Sequence, residues 1–317
     1  MPIFPLDLPP ASPVLLIGVG GGFDCLCGLP LAFELEARGH PVHLANYSFT
    51  DLAQITPAAW PSPSLLRVTA DSRHASGGYF PEGHLAAWYR QAKDADRPVW
   101  CLDRQGVRPT LAAYNYLVDT LRIDTVIAID GGVDGLLRGD EHDLGTPSMD
   151  AISIMAAALC RARQKIYVST AFGIDGAESG LSHAQVLHRM ADLLRQGALL
   201  GVSTVLKDTP EARDFQAAVD FVHRRMAPHQ TSTIVSALLA AIGGGFGRVA
   251  VNAKTAERPP WLSPLTALYW YFQAEAVAYL KLYRAALRET DTVPEVSAAI
   301  EQARQAAGVQ PFEPIPY

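Results

Sequence analysis

Val14-Leu15-Leu16-Ile17-Gly18-Val19-Gly20-Gly21-Gly22-Phe23-Asp24 is the stretch that decides the fold. Val14 to Val19 is an unbroken apolar run, the pattern of a strand buried on both faces of a parallel sheet. Gly20-Gly21-Gly22 follows at once. A helix is predicted from about Cys25 to Arg38, with apolar residues at Leu26, Leu29, Phe33 and Ala37, and Gly39 ends it. Pro41 to Tyr47 reads as the next strand. Together these make a βαβ unit with a right-handed crossover.

The alternation continues outward. Strands are predicted at Val99–Leu102, Thr125–Ile129, Ile166–Thr170, Leu199–Leu206 and Val249–Asn252. Helices are predicted at Thr110–Arg122, Ser148–Arg163, Leu181–Gln196, from Pro210, at Thr231–Ile242, over Pro264–Arg288 as one long aromatic helix, and at Pro294–Ala307. Strands alternating with helices predict a doubly wound, mostly parallel, Rossmann-like α/β sheet covered on both faces. Residues 1–317 read as a single domain, of which 210–317 form a mainly helical C-terminal layer. Ala58–Ser64 and Asp71–Gly83 are the loosest stretches and read as rim loops.

Composition limits the function. Of 317 residues, 49% are hydrophobic and 18% charged, as in a globular protein. The net charge of -6 and the lack of a Lys/Arg stripe argue against a nucleic-acid partner. No apolar run reaches membrane-spanning length. Cys25, Cys27, Cys101 and Cys160 form no paired metal spacing, which predicts reduced thiols and a cytoplasmic setting.

Three segments carry chemistry. In the first, Gly20, Gly21 and Gly22 let the backbone approach an anionic, nucleotide-like ligand, and the following helix offers free N–H groups. The strict dinucleotide spacing is not met, because position 23 is Phe. Asp24 is either a helix cap or a group for a ligand hydroxyl or a metal. The second segment starts at the carboxyl end of the Thr125–Ile129 strand and carries Asp130, Gly131, Gly132, Asp134, Arg138, Asp140, Glu141 and Asp143. Five carboxylates in fourteen residues make a solvated acidic loop or a site for a divalent metal or ribose hydroxyls. The interleaved glycines and the buried strand before them favour a binding loop. The third segment is Gly173-Ile174-Asp175-Gly176-Ala177-Glu178, again after a strand. In a parallel sheet these three loops line one edge and converge on one cleft.

Other residues carry weaker signals. Asn46 ends the second strand, where dinucleotide folds place a ribose-binding acid. Asn252 and Lys254 could add an amide and a cation. His183 and His188 are five apart and do not share a helix face. Cys25 reads as a small buried hydrophobe. Tyr269-Trp270-Tyr271-Phe272 reads as core or as a homo-oligomer interface.

The segments Leu16–Asp24, Ile129–Glu141, Leu144–Pro147, Phe172–Gly176, Ser232–Gly247 and Leu262–Pro264, with Tyr269-Trp270, resemble the family catalogued as domain of unknown function 1152. The Asp130–Pro147 block is the specific part. Where similar proteins often have a second acid or a valine after the glycine loop, this chain has Cys25, so no role is carried onto it. The resemblance implies the same fold and site location, and supplies no reaction.

The residues favour an enzyme, a hydrolase or group transferase acting on a nucleotide or a phosphorylated or ribosylated small molecule, with a divalent metal or bound nucleotide as the cofactors to be tested. Asp130, Asp134, Glu141 and Asp175 are the candidate acid–base residues. Gly20, Gly21, Gly22, Asp24, Asn46, Gly131, Gly132, Arg138 and Asp140 are the candidate ligand contacts. Two alternatives stand beside this. One is a nicotinamide-dependent oxidoreductase, which lacks a Tyr-Lys or His-carboxylate pair. The other is a non-catalytic nucleotide sensor or assembly subunit.

Overall fold

The computed structural model describes residues 2–175 and 180–315. Its strands are β1 (Val14–Gly18), β2 (Val42–Tyr47), β3 (Ile55–Thr56), β4 (Leu65–Val68), β5 (Arg73–His74), β6 (Val99–Leu102), β7 (Thr125–Asp130), β8 (Gln164–Ser169), β9 (Leu199–Thr204), β10 (Gly247–Arg248), β11 (Trp261–Leu262) and β12 (Leu268–Gln273). Its helices are α1 (Asp24–Cys27), α2 (Leu29–Ala37), α3 (Pro81–Lys93), α4 (Val107–Thr120), α5 (Pro147–Leu159), α6 (His183–Arg195), α7 (Pro210–His223), α8 (Thr233–Ile242), α9 (Ala274–Leu280), α10 (Arg284–Leu287) and α11 (Val293–Ala307).

All five residues of β1 are buried. Leu15 and Ile17 face one core, and Val14 and Leu16 face the other. The apolar run is therefore a strand with both faces covered, as its composition requires. The main sheet has the order β4-β6-β2-β1-β7-β8-β12-β9. The chain winds outward from β1 through β2 to β6, then crosses back to β7 and β8, all in parallel. The direction of winding reverses between β1 and β7. Ligands of open α/β sheets bind at such a reversal, beyond the carboxyl ends of the strands. Helices α4, α5, α6, α9 and α11 cover one face, and α1, α2, α3, α7 and α8 the other.

The sheet is mixed. β4 runs antiparallel at one edge, and β12 runs antiparallel between β8 and β9. The segment read as one long helix, Pro264–Arg288, instead holds β12, α9 and α10 after a short 3-10 turn. Within β12, Tyr269 and Tyr271 pack into one core while Phe272 and Trp270 pack into the other. A period of two explains this, and aromatic residues favour strands. The buried Tyr hydroxyls find acceptors: Tyr269 donates to the Cys27 carbonyl at 3.0 Å, and Tyr271 to the Ile3 carbonyl at 2.7 Å.

Three smaller differences follow from local chemistry. The first predicted helix is split at Gly28, where a Cβ would lie 2.6 Å from the Leu16 side chain. Val249–Asn252 is not a strand; β10 lies just before it and pairs with β11, while Asn252 caps a 3-10 turn. The Asp71–Gly83 loop ends early, because Pro81 opens α3 at the position proline prefers. No helix among the described residues is long and apolar enough to cross a membrane.

Candidate functional site

The glycine loop after β1 turns tightly. Gly21 and Gly22 have φ of 91° and 58°, values that L side chains rarely adopt. Asp24 is the first residue of α1, and its carboxylate reaches back to accept the Gly20 N–H at 2.6 Å. The donor expected for an anionic ligand is thus already engaged by a carboxylate of this chain. Asn46 fixes the loop from the side. Its amide donates to the Gly22 carbonyl at 3.0 Å and to buried Glu82 at 2.9 Å. Ser48 and Thr50 donate to the same Glu82.

The loop after β7 brings acids together. Asp130 ends the strand almost fully buried and accepts a short hydrogen bond from the Tyr167 hydroxyl of β8. Asp134 begins a 3-10 turn and accepts the Thr146 N–H at 2.8 Å and its hydroxyl at 3.0 Å. Buried Lys281, at the end of α9, donates to the Gly135 and Leu137 carbonyls at 2.6 and 2.5 Å and so staples that turn. Asp175, from the loop after β8, accepts the Val133 N–H at 2.6 Å. Gly176 and Glu178, singled out from the sequence, lie outside the described residues.

A further acid completes the group. Asp150 lies in the first turn of α5, is 1% exposed, and has no hydrogen-bond partner on either carboxylate oxygen. Asp130, Asp134 and Asp150 each present an oxygen, and the three oxygens lie within 4.8 Å of one another. Ligands about 2.1–2.4 Å from a common Mg²⁺ or Ca²⁺ ion lie at most about 4.2–4.8 Å apart, so this spacing suits such an ion. Glycine backbones line the acids closely. A Cβ on Gly20 would stand 2.5 Å from Asp150 and 2.7 Å from Asp24, and one on Gly132 would overlap Asp175. Asp24 and Asp175 are half-buried and form the accessible lip.

The crowding of like charge shifts the acids. Burial, and then the neighbouring carboxylates, raise Asp24, Asp150 and Asp175 well above the ordinary range. Asp130 is pushed up to about 7, first by burial and then by Asp134. Burial lowers Lys281 despite the acids around it. Three buried carboxylates with two more at their lip call for a cation or for protons.

Other residues read from the sequence are used by the loop itself. Arg138 forks onto Asp140, which also accepts from Gln310 at 2.8 Å. Glu141 accepts the Arg138 N–H at 3.1 Å and the Gly139 N–H at 2.8 Å, with Arg189 at 3.7 Å. The structure therefore brings together Asp24, Asp130, Asp134 and Asp175 against Gly20, Gly131 and Gly132, and leaves Arg138, Asp140 and Glu141 as a matched set beside them. Sequence reasoning missed Asp150, Tyr167 and Lys281. The signal for Asp150 was a single acid in an otherwise apolar helix, Pro147–Leu159.

No curated protein and no solved structure matches this chain. The model of one family matches residues 15–308, which runs from the second residue of β1 past the end of α11 and includes every acid of the cluster. The chain belongs to that family, described as protein of unknown function (DUF1152).

Proposed function

We propose that this protein is a divalent-cation-dependent hydrolase or group transferase acting on a phosphorylated small molecule. One observation carries the reading. Asp130, Asp134 and Asp150 are all buried, each presents an oxygen within 4.8 Å of the others, and neither oxygen of Asp150 has a donor. A phosphate cannot approach this cluster of acids unless a cation stands between. The same cation would polarise a phosphoryl oxygen and neutralise the charge that develops on it. Asp24 and Asp175, at the lip, are the carboxylates placed to take a proton from an attacking water or hydroxyl. A nicotinamide enzyme fits less well, since the Gly20 N–H that would meet a pyrophosphate is held by Asp24. The four cysteines are free and buried, in keeping with a reducing, cytoplasmic setting.

Phosphate release from a panel of nucleotides and sugar phosphates tests the reading. Turnover should require Mn²⁺ or Mg²⁺, stop with EDTA, and fall about 100-fold or more in Asp134→Asn. Binding without turnover for the whole panel would make the protein a sensor. Neither binding nor turnover would overturn the proposal.

A further inference from the structure

The loop that carries Asp175 also borders a second feature. Phe172 and Gly173 of that loop form one wall of an open cleft of about 840 Å³. That volume is in the range of small-molecule sites. Asp175 follows Gly173 by two residues and accepts the Val133 N–H, so cleft and acid cluster share one loop.

The lining is unusual for this surface. Trp261, Leu265 and Phe312 line the cleft and are 53%, 39% and 52% exposed. Phe246, 67% exposed, meets the Trp261 ring edge-on at 5.7 Å. Four of the ten large apolar side chains exposed among the described residues thus gather at one place. Such a concentration marks a binding surface more than scattered exposure does. Arg248, Arg258 and one acid, Glu257, also line the cleft; Arg248 donates to the Pro259 carbonyl at 3.3 Å, and among the described residues neither arginine forms an ion pair. Exposed aromatic faces beside two guanidinium groups and a single carboxylate match a planar ligand that carries negative charge. A hydrophobic protein segment would use the rings but not the cations. A plain sugar phosphate would use the cations but not the rings.

We propose that this cleft holds the nucleoside end of a nucleotide, its base against Trp261 and Phe312, with the phosphates directed past Gly173 toward the acid cluster. The proposal deepens the reading above and rests on a cation at Asp130, Asp134 and Asp150 to receive those phosphates.

Calorimetric titration of the full chain with ADP and with pyrophosphate, both in the presence of Mn²⁺, tests it. Trp261→Ala should weaken ADP about tenfold or more and leave pyrophosphate unchanged. Trp261→Phe should restore most of the ADP affinity. Arg258→Glu, at an exposed position, should also weaken ADP and gives the same readout if Trp261→Ala fails to fold. ADP binding that is unchanged in both Trp261→Ala and Arg258→Glu would overturn the proposal, as would a wild-type chain that binds none of the common nucleoside diphosphates. Titration with Mn²⁺ alone keeps the two readings apart. Mn²⁺ binding without nucleotide binding defeats the cleft and spares the cation site. ADP binding that depends on Trp261 but not on Mn²⁺ keeps the base in the cleft and overturns both the cation site and the path of the phosphates toward it.

Discussion

Neither carboxylate oxygen of Asp150 meets a donor in the described structure, and one of them lies within reach of two other buried carboxylates. Removing the acid's capacity for charge should relieve the protein. Asp150→Asn is expected to raise the melting temperature of the metal-free protein and to weaken Mn²⁺ binding about 100-fold or more, read by thermal shift with and without the ion. A fall in melting temperature with unchanged Mn²⁺ affinity would give Asp150 a structural role instead. Tyr167 acts on the same group from behind, through its hydrogen bond to Asp130. Tyr167→Phe should cost about 1–3 kcal/mol in chemical denaturation and weaken Mn²⁺ about 10–100-fold, as removal of an outer partner does. Asp130 and Asp134 were legible in the sequence because glycines surround them just after a buried strand. Asp150 was not, because an acid in the first turn of a helix ordinarily complements the helix dipole. Tyr167 and Lys281 were not legible either, since only the β7–β8 register and the path of α9 bring them to the site.

The glycine loop and β12 mark the two limits of reading elements from sequence. β1, its loop and β7 follow from apolar runs ended by glycine, and their pairing places Gly18 beside Ile129. The loop's conformation is equally local: Gly21 sits at φ 91°, and a Cβ there would overlap the Phe49 ring. Gly21→Val should therefore cost about 1–3 kcal/mol and abolish any thermal shift given by Mn²⁺ with ADP, while the far-UV spectrum stays that of the wild type. A preserved ligand shift would remove the loop from the site. The aromatic run Tyr269–Phe272 misled because four bulky apolar residues fit a buried helix or a buried strand equally well. What decides for a strand is the open edge of β8 on one side and β9 on the other, a tertiary fact absent from the local pattern.

Across the whole molecule, three loops from separated parts of the chain deliver acids to the point where the sheet reverses its winding. The order β6-β2-β1-β7-β8 ensures this, and the two antiparallel strands lie farther out and leave that crevice unchanged. The consequence is an unusual pH dependence. Asp130 faces Asp24, Asp134, Asp150 and Asp175, with Tyr167 and Lys281 as its other neighbours. Folded-state pKa values raised above those of the unfolded chain contribute stability that is complete below about pH 4 and is lost as pH rises through about 7. The metal-free wild type should therefore lose stability relative to Asp150→Asn between those pH values. Mn²⁺ should reverse that trend, because it binds the ionised carboxylates. Identical pH profiles for the two proteins without metal would contradict the charge crowding.

The most direct test is a calorimetric titration of the metal-free wild-type chain with Mn²⁺ near neutral pH, repeated in buffers of different ionisation enthalpy. Saturable binding of Mn²⁺ accompanied by net proton release, and lost in Asp150→Asn, is the predicted result. The absence of saturable binding, or binding of equal strength in Asp150→Asn, would contradict a cation site at Asp130, Asp134 and Asp150.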